Sequence, residues 1–158
     1  MMDLSLFDSK LVFFDNKAKN SSELFDELNR YLYPEGYVRD SWLMAIKKRE
    51  DTYPTGLESP DISFAIPHVE PEHIVKPYIA VIKPAEPITF QPMGGVVNHP
   101  VEARLIINLG LIEHDEEQVA TLQALMGLFM DNDAVNDILS QETGEGIVSA
   151  IKMHLTEQ

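Results

Sequence analysis

Histidine is the side chain best suited to nucleophilic or proton-transfer chemistry in this sequence, because its 158 residues include no cysteine. A neutral imidazole is nucleophilic near pH 7 and exchanges protons in the same range. The lack of cysteine excludes disulfides, thiolate metal sites and cysteine nucleophiles. Chemistry is therefore expected among five histidines, which are His68, His73, His99, His114 and His154.

His68 follows a segment that reads as a strand. Residues 62–66 alternate between apolar and small or polar side chains, and Pro67 then ends the segment because proline cannot donate to the hydrogen-bond ladder. Catalytic side chains are common at such strand ends. His99 lies in a Gly-Gly-Val-Val-Asn-His-Pro loop, and His154 lies on the last predicted helix, so no chemical role is expected for either.

The segment from His68 to His73 invites comparison with a zinc site, since histidine and glutamate are ordinary zinc ligands. However, Pro71 prevents the regular helix that would bring these side chains to one face, and the H-E-x-x-H arrangement is absent. We therefore predict neither a bound metal nor a cofactor. A metal-dependent hydrolase built on His68, Glu70 and His73 is kept only as an alternative.

His114 lies where a predicted central strand, residues 103–109, gives way to a helix with acidic residues in its first turn. Open α/β sheets gather ligand-binding groups at such positions, and a helix N-terminus favours anions. If the strand before His68 is a parallel neighbour of 103–109, His68 and His114 emerge at the same edge of the sheet. Spacing alone favours the alternative, in which His114 only caps its helix.

Two helices are predicted before His68. Asn20 and Glu23 form a capping signal for the first helix, which Pro34 ends. Asp40-Ser41 precedes a second helix, with Trp42, Ala45, Ile46 and Arg49 on one face.

This spacing places Arg49 on the inward face, whereas Lys47, Lys48 and Glu50 can point elsewhere. Spacing alone favours a snorkelling arginine, whose cation also suits the C-terminal end of a helix.

The remaining elements alternate between strands and helices. Residues 54–57 are predicted as a turn, 78–82 and 103–109 as strands, and 88–90 as a short or edge strand. Helical periodicity returns after residue 118, and three helices are predicted over about 119–129, 132–139 and 143–155. This order predicts an α/β fold with a mixed sheet covered by helices.

Composition predicts a single soluble domain spanning residues 1–158, without repeats or a linker. Twenty-six acidic against twelve basic residues give a net charge of −14, which repels nucleic-acid phosphates and anionic membrane surfaces. The sequence lacks a long apolar run and begins without the features of a signal peptide. We therefore expect a cytoplasmic protein with neither nucleic-acid binding nor membrane insertion.

Three short motifs, in this order and spacing, resemble the enzyme IIA domains of the fructose/mannitol class in the phosphoenolpyruvate-dependent sugar phosphotransferase system (PTS). The resemblance covers roughly residues 5–155 and implies a mixed sheet of about five strands with helices on both sides. The motifs are Lys48-Arg49-Glu50, Pro54-Thr55-Gly56 and Ala65-Ile66-Pro67-His68.

The resemblance implies a phosphotransferase in which His68 takes a phosphoryl group from the carrier protein HPr and passes it to a cysteine of a IIB component. That component serves a membrane IIC permease, an indirect partner. Arg49 matches the residue that neutralises the phosphoryl oxygens, and His114 matches the position of a second histidine beside the active one. Thr55 is expected to stabilise its turn.

Within this class, the sequence is most similar to galactitol-type proteins, through Asp40-Ser41-Trp42, Tyr53 before the Pro-Thr-Gly turn, and Glu70. Mannitol-type and fructose-type members usually carry glycine where this chain has Val69. The expected role is therefore sugar uptake, with galactitol or a related polyol as the transported compound. The alternative is a nitrogen-related regulatory IIA module of the same fold.

Overall fold

The computed structural model describes residues 3–59, 62–95, 97–112 and 116–156 of the chain. This part of the sequence forms six strands and five α-helices, in the order of one strand, two helices, five strands and three helices. The strands are β1 (Phe7–Phe14), β2 (Gly56–Glu58), β3 (Ser63–Ala65), β4 (Tyr78–Lys83), β5 (Ile88–Phe90) and β6 (Val101–Gly110). The helices are α1 (Ser21–Leu32), α2 (Trp42–Thr52), α3 (Glu116–Phe129), α4 (Asn132–Ser140) and α5 (Gly144–Thr156).

The strands form one mixed sheet in the order β1-β4-β6-β3-β2, and β5 pairs with the first part of β6. The β1–β4 and β3–β6 pairs are parallel, whereas β2–β3, β4–β6 and β5–β6 are antiparallel. The parallel pairing of β3 with β6 is the arrangement required to bring the ends of these two strands to one edge. The predicted α/β class is confirmed, with six strands where about five were expected.

Helices cover both faces of the sheet, since the strand side chains alternate between two apolar clusters. In β4, Ile79 and Val81 pack with α3, α4 and α5, while Ala80 and Ile82 pack with α1 and α2. This period of two is the expected consequence of the pleat, and a central strand buried on both faces reads as a continuous apolar run.

The predicted capping of α1 is confirmed. The Asn20 side chain accepts a hydrogen bond from the Glu23 backbone N–H at 2.9 Å, and the Glu23 carboxylate accepts one from the Lys19 backbone N–H at 3.0 Å. The first bond satisfies a backbone donor that a helix start leaves without an intrahelical partner, and the second ties the chain just before the helix to its first turn.

On α2, Trp42 and Ile46 are fully buried, so the predicted inward face is confirmed for these two residues. Ala45 and Arg49 of the same predicted face are only partly buried, and Glu50 is buried instead.

The prediction of a turn over 54–57 is wrong from Gly56 onward, because β2 begins there and pairs with β3. Gly56 donates its N–H to the Gln91 carbonyl at 3.0 Å. A Cβ at residue 56 would lie 2.6 Å from that same oxygen, so only glycine allows the two backbones to approach this closely. A short strand that depends on a distant loop leaves little local signal.

Candidate functional site

His68 lies three residues after the end of β3, beside the last part of β6. Its peptide is held by the Pro67 carbonyl, which accepts hydrogen bonds from the Leu109 backbone N–H at 3.1 Å and from Asn108 Nδ2 at 3.0 Å. His68 also forms a parallel bridge with Leu109. The backbone that carries the imidazole is therefore fixed to the central strand of the sheet.

Sequence reasoning missed Asn108, which is fully buried on β6. The Tyr78 hydroxyl donates to Asn108 Oδ1 at 2.7 Å, so the amide is oriented with its Nδ2 toward Pro67. Gly110 leaves room for the tyrosine, because a Cβ there would lie 2.0 Å from the ring. Burial raises the pKa of Tyr78. The position of Asn108 in a predicted strand did not indicate that it would hold Pro67. This contact arises only because the β4–β6 register brings Tyr78 to the asparagine.

The imidazole of His68 is held in one tautomer. Its Nδ1 lies 2.8 Å from the Ile66 carbonyl oxygen, which can only accept, so Nδ1 carries the proton and Nε2 keeps its lone pair. The pKa of His68 is lowered, and burial is the main cause. The hydrogen bond to Ile66 acts in the opposite direction. Arg49 lowers this pKa further, whereas Glu70 raises it. The ring is therefore neutral near pH 7 and presents an unprotonated nitrogen.

Arg49 lies in the last turn of α2 and faces the loop that follows His68. Its Nη1 is paired with Glu70 Oε2, and its guanidinium carbon lies 5.5 Å from the centre of the Tyr53 ring. The buried Nε–H donates to no residue that the structure describes. The side chain is 31% exposed, so the guanidinium is shielded but still reachable.

Arg49 and His68 line one cleft of about 270 Å³, together with Thr55, Met93 and Gly94 among others. The structure thus brings together the two candidate residues that it describes. A second, wider depression of about 550 Å³ adjoins it across Arg49 and Tyr53. Exposed Met44 and Tyr53 give this neighbouring surface an apolar character.

The prediction that Glu50 points away from the core is wrong: it is buried, at 5% exposure. Its carboxylate accepts from the Thr55 backbone N–H at 2.6 Å and from the Thr55 hydroxyl at 2.9 Å. Thr55 thus stabilises its turn, as expected, and ties the end of α2 to the start of β2. Burial is the main cause that raises the pKa of Glu50 to about 7, against the lowering effect of the Thr55 hydrogen bonds.

We expect the buried Glu50 to make stability fall with rising pH. The unfolded chain releases this proton near the ordinary pKa of 4.5, whereas the folded chain keeps it until about pH 7. Between these values the folded state binds more protons, so the free energy of unfolding decreases by on the order of 3 kcal/mol. In Glu50→Gln this contribution is removed, and urea unfolding between pH 5 and pH 8 is expected to give a flatter profile.

Glu72→Gln is the matched control, since it also removes one carboxylate but from an exposed side chain. Its unfolding free energy is expected to follow the wild-type pH profile. If Glu50→Gln also runs parallel to wild type, Glu50 titrates near its ordinary value in the folded protein.

Three other described histidines lie outside the cleft. His73 Nδ1 is hydrogen-bonded to the Ser41 hydroxyl at 2.8 Å, His99 Nδ1 donates to the Pro100 carbonyl, and His154 pairs with Asp137. His114 falls outside the described residues, so its predicted place beside His68 stays a prediction.

A metal site on His68, Glu70 and His73 finds no support. Glu70 is engaged by Arg49 and His73 by Ser41, and the described part of the chain holds no group of three ligating side chains placed for a metal ion. Within the same residues, none of the helices has the length and apolarity needed to cross a bilayer.

Comparison with known proteins gives one family. The sequence model described as "Phosphoenolpyruvate-dependent sugar phosphotransferase system, EIIA 2" matches residues 5–154. The galactitol-specific EIIA component of the PTS from Escherichia coli K12 is 28% identical over 119 residues, which cover 75% of this chain and 77% of that protein. The corresponding protein of E. coli O157:H7 has the same identity and coverage.

Solved structures share the fold. Mannitol IIA from E. coli superposes with a TM-score of 0.70 at 20% identity, covering 91% of this chain and 97% of that one. The nitrogen regulatory protein IIA-Ntr from Neisseria meningitidis gives a TM-score of 0.73 at 19% identity, covering 94% and 97%. A complex of mannitol IIA with phosphorylated mannitol IIB from E. coli gives a TM-score of 0.73 at 18% identity. The match covers 96% of this chain and 99% of that one. Mannitol IIA and a nitrogen regulatory protein therefore have this fold in common.

Proposed function

The chain belongs to the EIIA 2 family of the sugar phosphotransferase system, whose members are phosphotransferases that use a phosphohistidine, and we propose that His68 carries the phosphoryl group. The observation that carries the proposal is the hydrogen bond from Nδ1 to the Ile66 carbonyl. It leaves an unprotonated Nε2 on a neutral ring, next to the guanidinium of Arg49 in a shared cleft.

The donor in this proposal is the phosphohistidine of HPr. The Nε2 lone pair of His68 attacks phosphorus, a new N–P bond forms while the donor N–P bond breaks, and the donor ring recovers its lone pair. No proton has to leave His68, because Nε2 carries none. The Nδ1 proton stays in its bond to Ile66, so the phosphorylated ring bears a positive charge that the carbonyl oxygen stabilises.

The acceptor is a cysteine thiolate of a cognate IIB component. Its sulfur attacks phosphorus, the Nε2–P bond breaks, and His68 leaves as a neutral imidazole, which is a better leaving group than an anionic ring. Arg49 supplies the charge that the transferred group needs, since a guanidinium pairs with two oxygens of a phosphoryl group at once. The apolar surface around Met44 and Tyr53, next to the cleft, suits the contact with these two partner proteins.

Sugar uptake is the proposed context, through IIB to a membrane IIC permease, with galactitol or a related polyol as cargo. The galactitol-specific relatives support this assignment.

We further propose a single cytoplasmic domain over residues 1–158, with His114 as an additional residue of the site. Support for His114 comes from its place in the sequence, four residues after the end of β6, the strand that pairs with His68.

Phosphorylation mapping tests the proposal. The protein is incubated with phosphoenolpyruvate, enzyme I and HPr, and its mass is measured under neutral or alkaline conditions. We expect one added phosphoryl group, stable to alkali and labile to acid, on the peptide that contains His68. A group found on His73, His99, His114 or His154, or a protein that gains none, would overturn the assignment.

A further inference from the structure

Glu70 is placed to act on the phosphoryl group through Arg49. Its carboxylate oxygen Oε2 is paired with Arg49 Nη1, and it lies only two residues after His68. The backbone around it is anchored, because Val69 is buried and Pro71 begins a short helical turn in which the His73 N–H donates to the Glu70 carbonyl. The pair is therefore a fixed contact between the end of α2 and the loop that follows His68.

We propose that Glu70 is a positioning residue that sets how tightly His68 holds its phosphoryl group. In the unphosphorylated protein its carboxylate occupies Arg49, and it has to give up the guanidinium to the phosphoryl oxygens when the group arrives. This inference rests on the proposed function of His68.

The negative charge of Glu70 is expected to weaken the binding of the phosphoryl group. A phosphoryl group brings about two negative charges, and a guanidinium pairs with a carboxylate or a phosphate through the same forked donors. The carboxylate of Glu70 therefore competes for Arg49 and repels the group at close range. The two charged residues also act on the His68 ring itself, since Arg49 lowers the pKa of His68 and Glu70 raises it.

The consequence suits a carrier that has to pass its group on. A free Arg49 would stabilise the phosphorylated state and hold the group back, whereas Glu70 weakens that state and favours onward transfer. The coupling is reciprocal: the factor by which Glu70 weakens phosphoryl binding is the factor by which phosphorylation weakens the Arg49–Glu70 pair.

The test is the equilibrium of phosphoryl exchange between HPr and this protein, measured after enzyme I is removed, for wild type and Glu70→Gln. We expect Glu70→Gln to shift the equilibrium toward the phosphorylated protein by about fivefold at low salt, and by less at 0.5 M salt because the pair is partly exposed. Glu72→Gln, with the same change in net charge on an exposed side chain, is expected to stay within about twofold of wild type.

A second readout does not require HPr. The pKa of His68, followed by NMR in the unphosphorylated protein, is expected to fall in Glu70→Gln and to stay near the wild-type value in Glu70→Asp and Glu72→Gln. A purely structural role for Glu70 would move the melting temperature but neither this pKa nor the salt dependence of the equilibrium.

The outcomes separate the two proposals. If the wild-type protein accepts no phosphoryl group from HPr, the proposed function fails and the role of Glu70 fails with it. If wild type is phosphorylated but the Glu70→Gln equilibrium is unchanged or shifts toward HPr, only the role of Glu70 is overturned. An unchanged pKa of His68 in Glu70→Gln would also overturn only the role of Glu70.

Discussion

His68→Gln is expected to lower phosphoryl acceptance from HPr by at least about 10³-fold, to the background of the assay. Glutamine places its amide nitrogen near the position of the imidazole Nε2, but this nitrogen has no available lone pair with which to attack phosphorus. The measurement is the initial rate of labelling from phosphoenolpyruvate in the presence of enzyme I and HPr. The melting temperature is expected to change little, because the loop stays bonded to β6 through Pro67.

The pH profile of the wild-type rate gives an independent check. Since the pKa of His68 is lowered from its ordinary value of 6.5, Nε2 is unprotonated across the neutral range, and acceptance is expected to fall only at more acidic pH. His99→Gln, which changes an exposed loop histidine, serves as the control and is expected to label at the wild-type rate. Labelling of His68→Gln at a rate near wild type would rule out His68 as the acceptor.

The sequence predicts most of the fold because its strongest elements carry local signals. The capping residues of α1, the two buried apolar residues of α2 and the mostly apolar second half of β6 each arise within one segment. The local sequence signals of β1 and β2 are weaker. β1 is an edge strand whose alternation is interrupted by three exposed residues, 8–10, and by an irregular register against β4. An edge strand with one paired side needs less regular alternation than a central one.

The candidate site was predictable where chain order fixes geometry. Pro67 ends the strand before His68, and the helix that places Trp42 and Ile46 in the core leaves Arg49 partly exposed at the cleft that it shares with His68. β3 pairs with β6 in parallel, which is the condition under which the ends of these two strands meet at one edge. The motif of the family covers these same positions, so local patterning and resemblance agree on the residues that are proposed to carry the chemistry.

The polar residues that hold this chemistry in place were not predictable, because their partners are distant in sequence or unusual for their type. Glu50 is an ionisable residue that follows three cations, yet it is buried because the Thr55 turn supplies two donors to its carboxylate. Asn108 depends on Tyr78, thirty residues away. Glu70 is twenty-one residues from Arg49 and meets it only through the tertiary fold. Each role requires a contact that no sequence period encodes.

Arg49→Gln is expected to slow phosphoryl acceptance by about 10²- to 10³-fold, the loss typical of removing one preorganised donor to a developing negative charge. Arg49→Lys is expected to recover about tenfold of this loss, because lysine restores the positive charge but not the forked geometry that pairs with two oxygens. Both variants are measured by rapid-quench labelling from phosphorylated HPr. Unfolding free energy is expected to change by less than about 1 kcal/mol, since the pair with Glu70 is partly exposed.

Lys47→Gln is the matched control for Arg49, because it removes one positive charge from the same helix while its ammonium faces Asp26 on α1 at 2.8 Å. Its labelling rate is expected to stay within about twofold of wild type. Equal slowing in Lys47→Gln and Arg49→Gln would mean that the overall charge of α2, and not contact with the phosphoryl group, governs the rate. A wild-type rate in Arg49→Gln would leave the guanidinium with only its structural pairing to Glu70. The expected order, with Arg49→Gln slowest, Arg49→Lys intermediate and Lys47→Gln unchanged, follows only if the guanidinium binds the transferred group itself.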